Sequence, residues 1–172
     1  MKENTAFEES SGMTRTKIEA ERNRLLDLRT IVISVADESG VPDIGVSPFI
    51  RRDDGLYIYT SHLSAHVRNL LRCGGATCLL CADERQSQNI WARNRLKFQV
   101  AAREVMREDA RFDALCDDFA AAHGPTMGLI RNFTDFHMVQ LTPKDGVLVL
   151  GFAKAFRVNG AAFDIAAHLS NA

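Results

Sequence analysis

RRDDGLYIYTSHLSAHVRNL, residues 51–70, contains a turn, a strand and the start of a helix in immediate succession. Asp54-Gly55 supplies the positive-φ position that a tight hairpin needs. The apolar run before the turn (44–50, IGVSPFI) and the run after it (56–60, LYIYT) therefore pair antiparallel. The second strand ends in polar residues. Thr60, Ser61, Ser64, His66, Arg68 and Asn69 crowd one strand-to-helix junction, after which Val67, Leu70 and Leu71 recur at helical spacing and CGG stops the helix.

Working outward, the same signals repeat. Residues 29–37 (RTIVISVAD) and 76–83 (ATCLLCAD) have the composition of strands. In 95–105 (RLKFQVAAREV), Leu96, Phe98 and Val100 share one face, while Arg95, Lys97 and Gln99 share the other. A turn is expected at 142–146 (TPKDG), between strands 135–141 and 147–150, and a last strand at 153–158. Two longer helices complete the pattern. Thr14–Leu28 carries Ile18, Leu25 and Leu26 on one stripe, and a second helix carries Phe112, Leu115, Cys116, Phe119 and Ala120 before Gly124-Pro125. About seven strands joined mostly by tight turns, without βαβ alternation, predict a mainly β antiparallel barrel with peripheral helices.

Bulk properties narrow the function classes. The chain has 172 residues, 46% of them apolar, with 21 basic against 22 acidic side chains. That balance gives no global reason to expect nucleic acid or an anionic membrane as partner, so an anion site would have to be local. No apolar run reaches the roughly 18 residues of a spanning helix, and the N-terminus lacks the apolar stretch of a signal peptide, so a cytoplasmic location is expected. Residues 1–13 are polar and are expected to form a flexible N-terminus. Cys78 and Cys81 have C-x-x-C spacing, but on a strand such residues point to opposite faces, so four reduced structural thiols and no metal are expected. His62 and His66 straddle the helix start, which also argues against a shared metal. Trp91 is expected at an interface or over the barrel end.

The junction admits two readings. Ser64 could simply cap a surface helix, with Arg68 solvated. Alternatively, the unpaired amides of the helix N-terminus, together with hydroxyls and basic side chains, could hold a phosphate. Arg95 and Lys97 would join such a site if the barrel brought their polar face to the junction; otherwise that face looks at water.

Three blocks in order, GVSPFIRRDDGLYIYTSHLSAHVRNL, IWARNRLKFQVAA and FTDFHMVQLTPKDGVLVLGFAKAF, resemble the pyridoxamine-5′-phosphate-oxidase-related FMN-binding split barrels, and most nearly their haem-utilisation (HugZ-type) branch. The resemblance runs from about Leu28 to Val158. It implies an antiparallel split β-barrel over residues 14–172 as one domain, working as a homodimer with FMN between the subunits. The family's phosphate motif falls on Tyr59, Thr60, Ser61, Ser64 and His66, with Asn69 following. His66 replaces a lysine, so the grip on phosphate would depend on pH near about 6.5. Val46, Ser47, Pro48 and Phe49 match the strand that runs along the flavin, Arg95, Leu96 and Lys97 the basic strand, and Lys154 a late contribution. The C-terminal Trp and Arg-x-His motif of the true oxidases is missing, so the vitamin B6 reaction is not expected.

The resemblance thus implies an FMN-dependent oxidoreductase that is not a pyridoxamine phosphate oxidase, acting on a small-molecule substrate. The haem-utilising branch implies an alternative, haem held by a C-terminal histidine (here His168) with an acid of the partner subunit (here Asp135) assisting. A flavin-binding module without catalysis is the third expectation.

Overall fold

The structure is a computed structural model that describes residues 11–169. In chain order it contains α1 (Arg15–Leu26), β1 (Thr30–Ala36), β2 (Pro42–Arg52), β3 (Gly55–Ser61), α2 (Ala65–Cys73), β4 (Gly75–Cys81), β5 (Arg95–Val105), α3 (Phe112–His123), α4 (Thr126–Ile130), β6 (Phe136–Val149), β7 (Ala155–Asn159) and β8 (Asp164–Leu169). Two single 3₁₀ turns, Glu84–Gln86 and Ile90–Ala92, lie between β4 and β5.

The strands run β3-β2-β1-β4-β5-β6-β7-β8, every pair antiparallel, and β3 also pairs with β6. That closure turns β1 to β6 into a six-stranded barrel with no open edge, while β7 and β8 extend the sheet from the far end of β6. The Asp54-Gly55 hairpin is present, with Gly55 at φ 143 and Arg52 opposite Gly55.

Alternation along the strands fills the barrel. Ile31, Ile33, Phe49, Ile58, Leu80, Leu96, Phe98 and Leu141 point inward and are almost fully buried. Helix α1 adds Ile18, Leu25 and Leu26 to this core. Its N-cap, Thr14, accepts the Lys17 amide, and Arg15 and Arg22 donate to the Ile165 and Phe163 carbonyls beside β8. Residues 1–10 of the expected flexible segment lie outside the described residues. Ser11 and Met13, from its end, are buried.

A second core lies on the outer side of β2, β3, β5 and β6, where Ile50, Tyr57, Tyr59, Val105 and Met138 meet Phe112, Leu115, Cys116 and Phe119 of α3 and Met127 of α4. Arg107 ties this layer to the following loop, donating to the carbonyls of Arg131 and Phe133 and to the Tyr59 hydroxyl.

The segment 136–149 is one 14-residue strand, without the expected break at 142–146. Pro143 continues the ladder opposite Val100, where a register shift between Phe98 and Val100 absorbs the irregularity. Strand β8 had no counterpart in the sequence reading, because AAFDIAAHL alternates too weakly to signal a strand. Trp91 is 82% exposed and so does not cover the barrel end.

Tyr57 gives the fold an alkaline limit. Its phenol is buried and donates to Asp54 Oδ2 at 2.6 Å; burial first, and then that hydrogen bond, push its pKa up to about 12. An unfolded tyrosine releases its proton near pH ~10, so between the two values the native state holds a proton that the unfolded chain has lost. The stabilisation is complete below the unfolded pKa and disappears as pH rises through the folded one. Urea melts across this window should show stability falling with pH, and Tyr57→Phe should flatten the fall. An equal slope in both proteins would assign the loss to other groups.

Candidate functional site

At the junction between β3 and α2 the expected donors do not converge. Ser64 occupies the N-cap position of α2 with extended backbone, φ −76 and ψ 129, but its side chain makes no capping hydrogen bond. Ser61 takes over locally, since its Oγ accepts the Leu63 amide and donates to Asp135 Oδ2 at 2.6 Å. Arg68 donates to the carbonyls of His62 and Leu63, so it braces the loop. Tyr59 points to the outer core, with its hydroxyl donating to Ile130 and Arg131 carbonyls and its pKa raised by burial. Thr60 is half-buried opposite His137, and Asn69 is half-buried on α2.

His66 turns its ring toward β2. A Cβ at Gly45 would overlap its imidazole, so the ring rests on the bare backbone of β2. Asp43, Gly45 and Ser47 alternate onto the same face of β2, which places the ring between an acid and a hydroxyl. Asp43 Oδ2, Ser47 Oγ and His66 Nε2 are all buried without a hydrogen-bond partner among the described residues. Ser47 and Phe49 are 1% and 3% exposed inside the barrel, whereas Val46 and Pro48 face outward. The stretch 46–49 therefore presents its side chains to two sides of the sheet, because successive strand residues face opposite sides.

The basic strand stands elsewhere. Arg95 pairs with Val149 at one end of β6, while Thr60 pairs with His137 at the other, separated by about 40 Å of strand path at a rise of ~3.3 Å per residue. Leu96 is fully buried in the barrel. Lys97 faces outward in a row that crosses six strands, Val46, Val32, Leu79, Lys97, Val147 and Arg157. Lys97 and Arg157 flank Val147 in a cleft of about 470 Å³ that is also lined by Thr77, Gln99, Asp145, Asn159 and Leu169. Arg157 escaped the sequence reading; only its place two strands from Lys97 reveals it.

His168 lies on β8 opposite Phe156, with ring centroids 5.3 Å apart. Its Nε2 is 2.8 Å from the Ala153 carbonyl, which can only accept, so Nε2 is the donor in this contact. Lys154, next to Ala153, sits in the loop between β6 and β7 and is half-buried. Asp135 lies far along the sheet from His168, beside Ser61 and the start of β6. The same mouth holds His62 and His137, whose rings are 5.1 Å apart, and His137 Nδ1 meets Glu104 at 2.6 Å. His62 and His66 thus face different partners. Burial pushes the Cys78 thiol up to about 12, which makes it unreactive.

The donors proposed for an FMN phosphate are dispersed over the barrel interior, the loop and two ends of one strand. A haem would ask for less, namely one imidazole nitrogen, apolar surface and cations for its carboxylates, and the segment around His168, Phe156 and Lys154 carries these residue types.

No family model matches the chain. The haem oxygenase HutZ of Vibrio cholerae is 26% identical over 132 residues, 77% of this chain and 75% of that protein. The crystal structure of HutZ, described as a haem storage protein, superposes with a TM-score of 0.73 and 25% identity, over 78% of this chain and 97% of that one. Campylobacter jejuni ChuZ gives a TM-score of 0.80 and 26% identity over 92% of this chain, which spans 66% of that structure. A putative pyridoxamine 5′-phosphate oxidase of Listeria innocua, 11% identical with a TM-score of 0.57 over 76% of this chain and 97% of that one, shares the fold. No helix among the described residues is long and apolar enough to cross a membrane. The chain is an antiparallel split barrel of the pyridoxamine phosphate oxidase-like kind, close to the HutZ and HugZ haem-utilisation proteins.

Proposed function

We propose that this protein binds haem in the service of haem utilisation, as a store or as a haem-degrading enzyme. The observation that carries the reading is the likeness to HutZ over 77% of the chain, together with a C-terminal histidine whose second nitrogen is held by a backbone carbonyl. A ligating histidine ordinarily donates its other N–H in this way, which fixes tautomer and ring orientation. His168 would supply the axial nitrogen, and Lys154, next to the Ala153 carbonyl that holds the ring, is the cation placed for a carboxylate; Lys97 and Arg157 lie on the other face of the sheet. When bound, haem supplies redox-active iron; the protein's part is to ligate, orient and shield it.

A second copy of the chain belongs to this reading. Ile44 and Val46 are 67% and 63% exposed on the outer face of β2, beside Pro48 and the outward Val32 and Leu79, an apolar surface that suits a self-complementary interface. Asp135 and the C-terminal histidine stand apart in one copy, and only a partner could bring them to one haem. The FMN oxidoreductase reading has no comparable support.

The test is a haemin titration of the full chain followed by absorption, with sedimentation of the same samples. Wild type should bind haem as a dimer with a histidine-ligated spectrum. Loss of a partner beyond the ligand already costs 10–100-fold, so His168→Ala should weaken binding by about a hundredfold or more. Identical spectra and affinities for the two proteins would remove His168 as ligand. Failure of both to bind haem, with tight FMN binding instead, would overturn the proposal.

A further inference from the structure

A second cavity lies away from His168, between the barrel wall and the α3–α4 layer. It measures about 410 Å³ and is lined by Arg29, Thr30, Pro48, Tyr59, Phe119, His123, Thr126, Met127 and Ile130. Its floor is apolar and buried, since Tyr59, Phe119 and Met127 are 4%, 3% and 5% exposed. The polar ends of the floor are already used. The Tyr59 hydroxyl donates to the Ile130 and Arg131 carbonyls, and His123 Nε2 is 2.8 Å from the Phe49 carbonyl. What faces the cavity from these groups is hydrocarbon and aromatic ring.

The rim is different. Arg29 is exposed in the connection before β1, and its guanidinium donates from Nη2 to the Ala122 carbonyl at 3.3 Å. Among the described residues no carboxylate pairs with it, as is true of several other arginines of this chain; what sets Arg29 apart is its place at the cavity mouth. The hydroxyls of Thr30 and Thr126 share this rim. A guanidinium offers a planar fork of donors that matches a carboxylate in bidentate fashion. An apolar cavity of this size with one unmatched guanidinium at its mouth has the anatomy of a small-molecule site.

We propose that this cavity is a ligand site separate from the haem position, and that it takes a small amphipathic monocarboxylate, with its apolar body on Tyr59, Phe119 and Met127 and its carboxylate on Arg29. Within one copy the cavity shares no residue with the haem ligand: Tyr59 stands opposite Met138 near the start of β6, while His168 belongs to the β7–β8 extension at the other end of that strand. Pro48, on the cavity's rim, also borders the surface offered to a second copy.

The probes are octanoate and octanol, titrated calorimetrically into the full chain below their aggregation concentrations. Octanoate should bind wild type with octanol at least about tenfold weaker, the size expected for losing a charge-assisted hydrogen-bonded pair. Arg29→Gln should weaken octanoate by about the same factor and leave octanol unchanged. Thr126→Trp, which fills the mouth from an exposed position, should abolish both, while His168→Ala should change neither. Absence of octanoate binding to wild type would overturn the site. Equal binding of the two probes, or unchanged octanoate binding by Arg29→Gln, would overturn the carboxylate assignment. Haem binding is measured separately and is expected to be the same in Arg29→Gln as in wild type, so failure of either proposal is visible without the other.

Discussion

Gly146→Ala is expected to lower the melting temperature by about 6–12 °C, the response of a chain this size to a loss of ~3 kcal/mol, the upper end of ordinary overpacking. A Cβ at Gly146 would lie 2.7 Å from the Lys97 carbonyl oxygen and 2.7 Å from Phe98 Cβ, with Phe98 Cα at 3.1 Å. None of these atoms belongs to the free end of a flexible side chain. The contact falls where β6 stands opposite Phe98 and the ladder shifts register before Val100, so relief would mean parting the two strands with the most extensive pairing in the barrel. Phe98 also packs edge-on against Phe163, with centroids 4.8 Å apart, so displacement would reach the core under α1. Differential scanning calorimetry of the two proteins is the measurement. A melting temperature within a degree or so of wild type would mean that the strands part easily, contrary to the packing described.

Gly45→Ala is the second large effect, and its signature is rescue. The added methyl would overlap the His66 imidazole, a side chain that can leave, so the expected outcome is eviction of the ring at a cost of about 1–3 kcal/mol. His66→Ala removes the obstacle. The double variant should be about as stable as His66→Ala alone, which corresponds to a coupling of about 1–3 kcal/mol in a double-mutant cycle. Additive effects would show that the ring does not rest on Gly45. No comparable rescue is expected at Gly146, because its obstacles are the Lys97 carbonyl and the Cα and Cβ of Phe98, which no rotamer change can move away. Chemical-denaturant unfolding of the four proteins decides the point.

The contrast between these glycines shows where sequence reading stopped. The Asp54-Gly55 turn was legible because the conformation it needs is local. Gly45 and Gly146 sit in strands, and nothing in their neighbours of sequence says what approaches them; a helix residue in one case and the facing strand in the other do so only after the barrel closes. The same holds for His66. Its place in the chain beside Thr60, Ser61 and Ser64 suggests a phosphate grip, whereas the first turn of α2 sets its ring against β2.

Alternation worked well for β5, where inward Leu96, Phe98 and Val100 and outward Arg95, Lys97 and Gln99 lie as the pattern requires. It also explains the dispersal of 46–49, since alternation sets the side chains of these four residues on two faces. The unbroken β6 is hidden in the sequence because Thr142-Pro143 carries turn chemistry; a bulge in the partner strand lets proline continue the strand instead.

By itself the sequence determined the mainly β class, the hairpin at Asp54-Gly55, the antiparallel order of the blocks, the core faces of α1, α2, α3 and β5, and the resemblance to haem-utilisation split barrels. Those properties rest on local backbone preference and on periodicity, which are carried by neighbouring residues. Tertiary structure alone decided the closure of β3 on β6, the opposite ends of β6 at which Thr60 and Arg95 stand, the pairing of Lys97 with Arg157 across Val147, and the ring of His66 on Gly45. Each depends on contacts between residues remote in sequence, whose register and facing are set only when the sheet curls into a barrel.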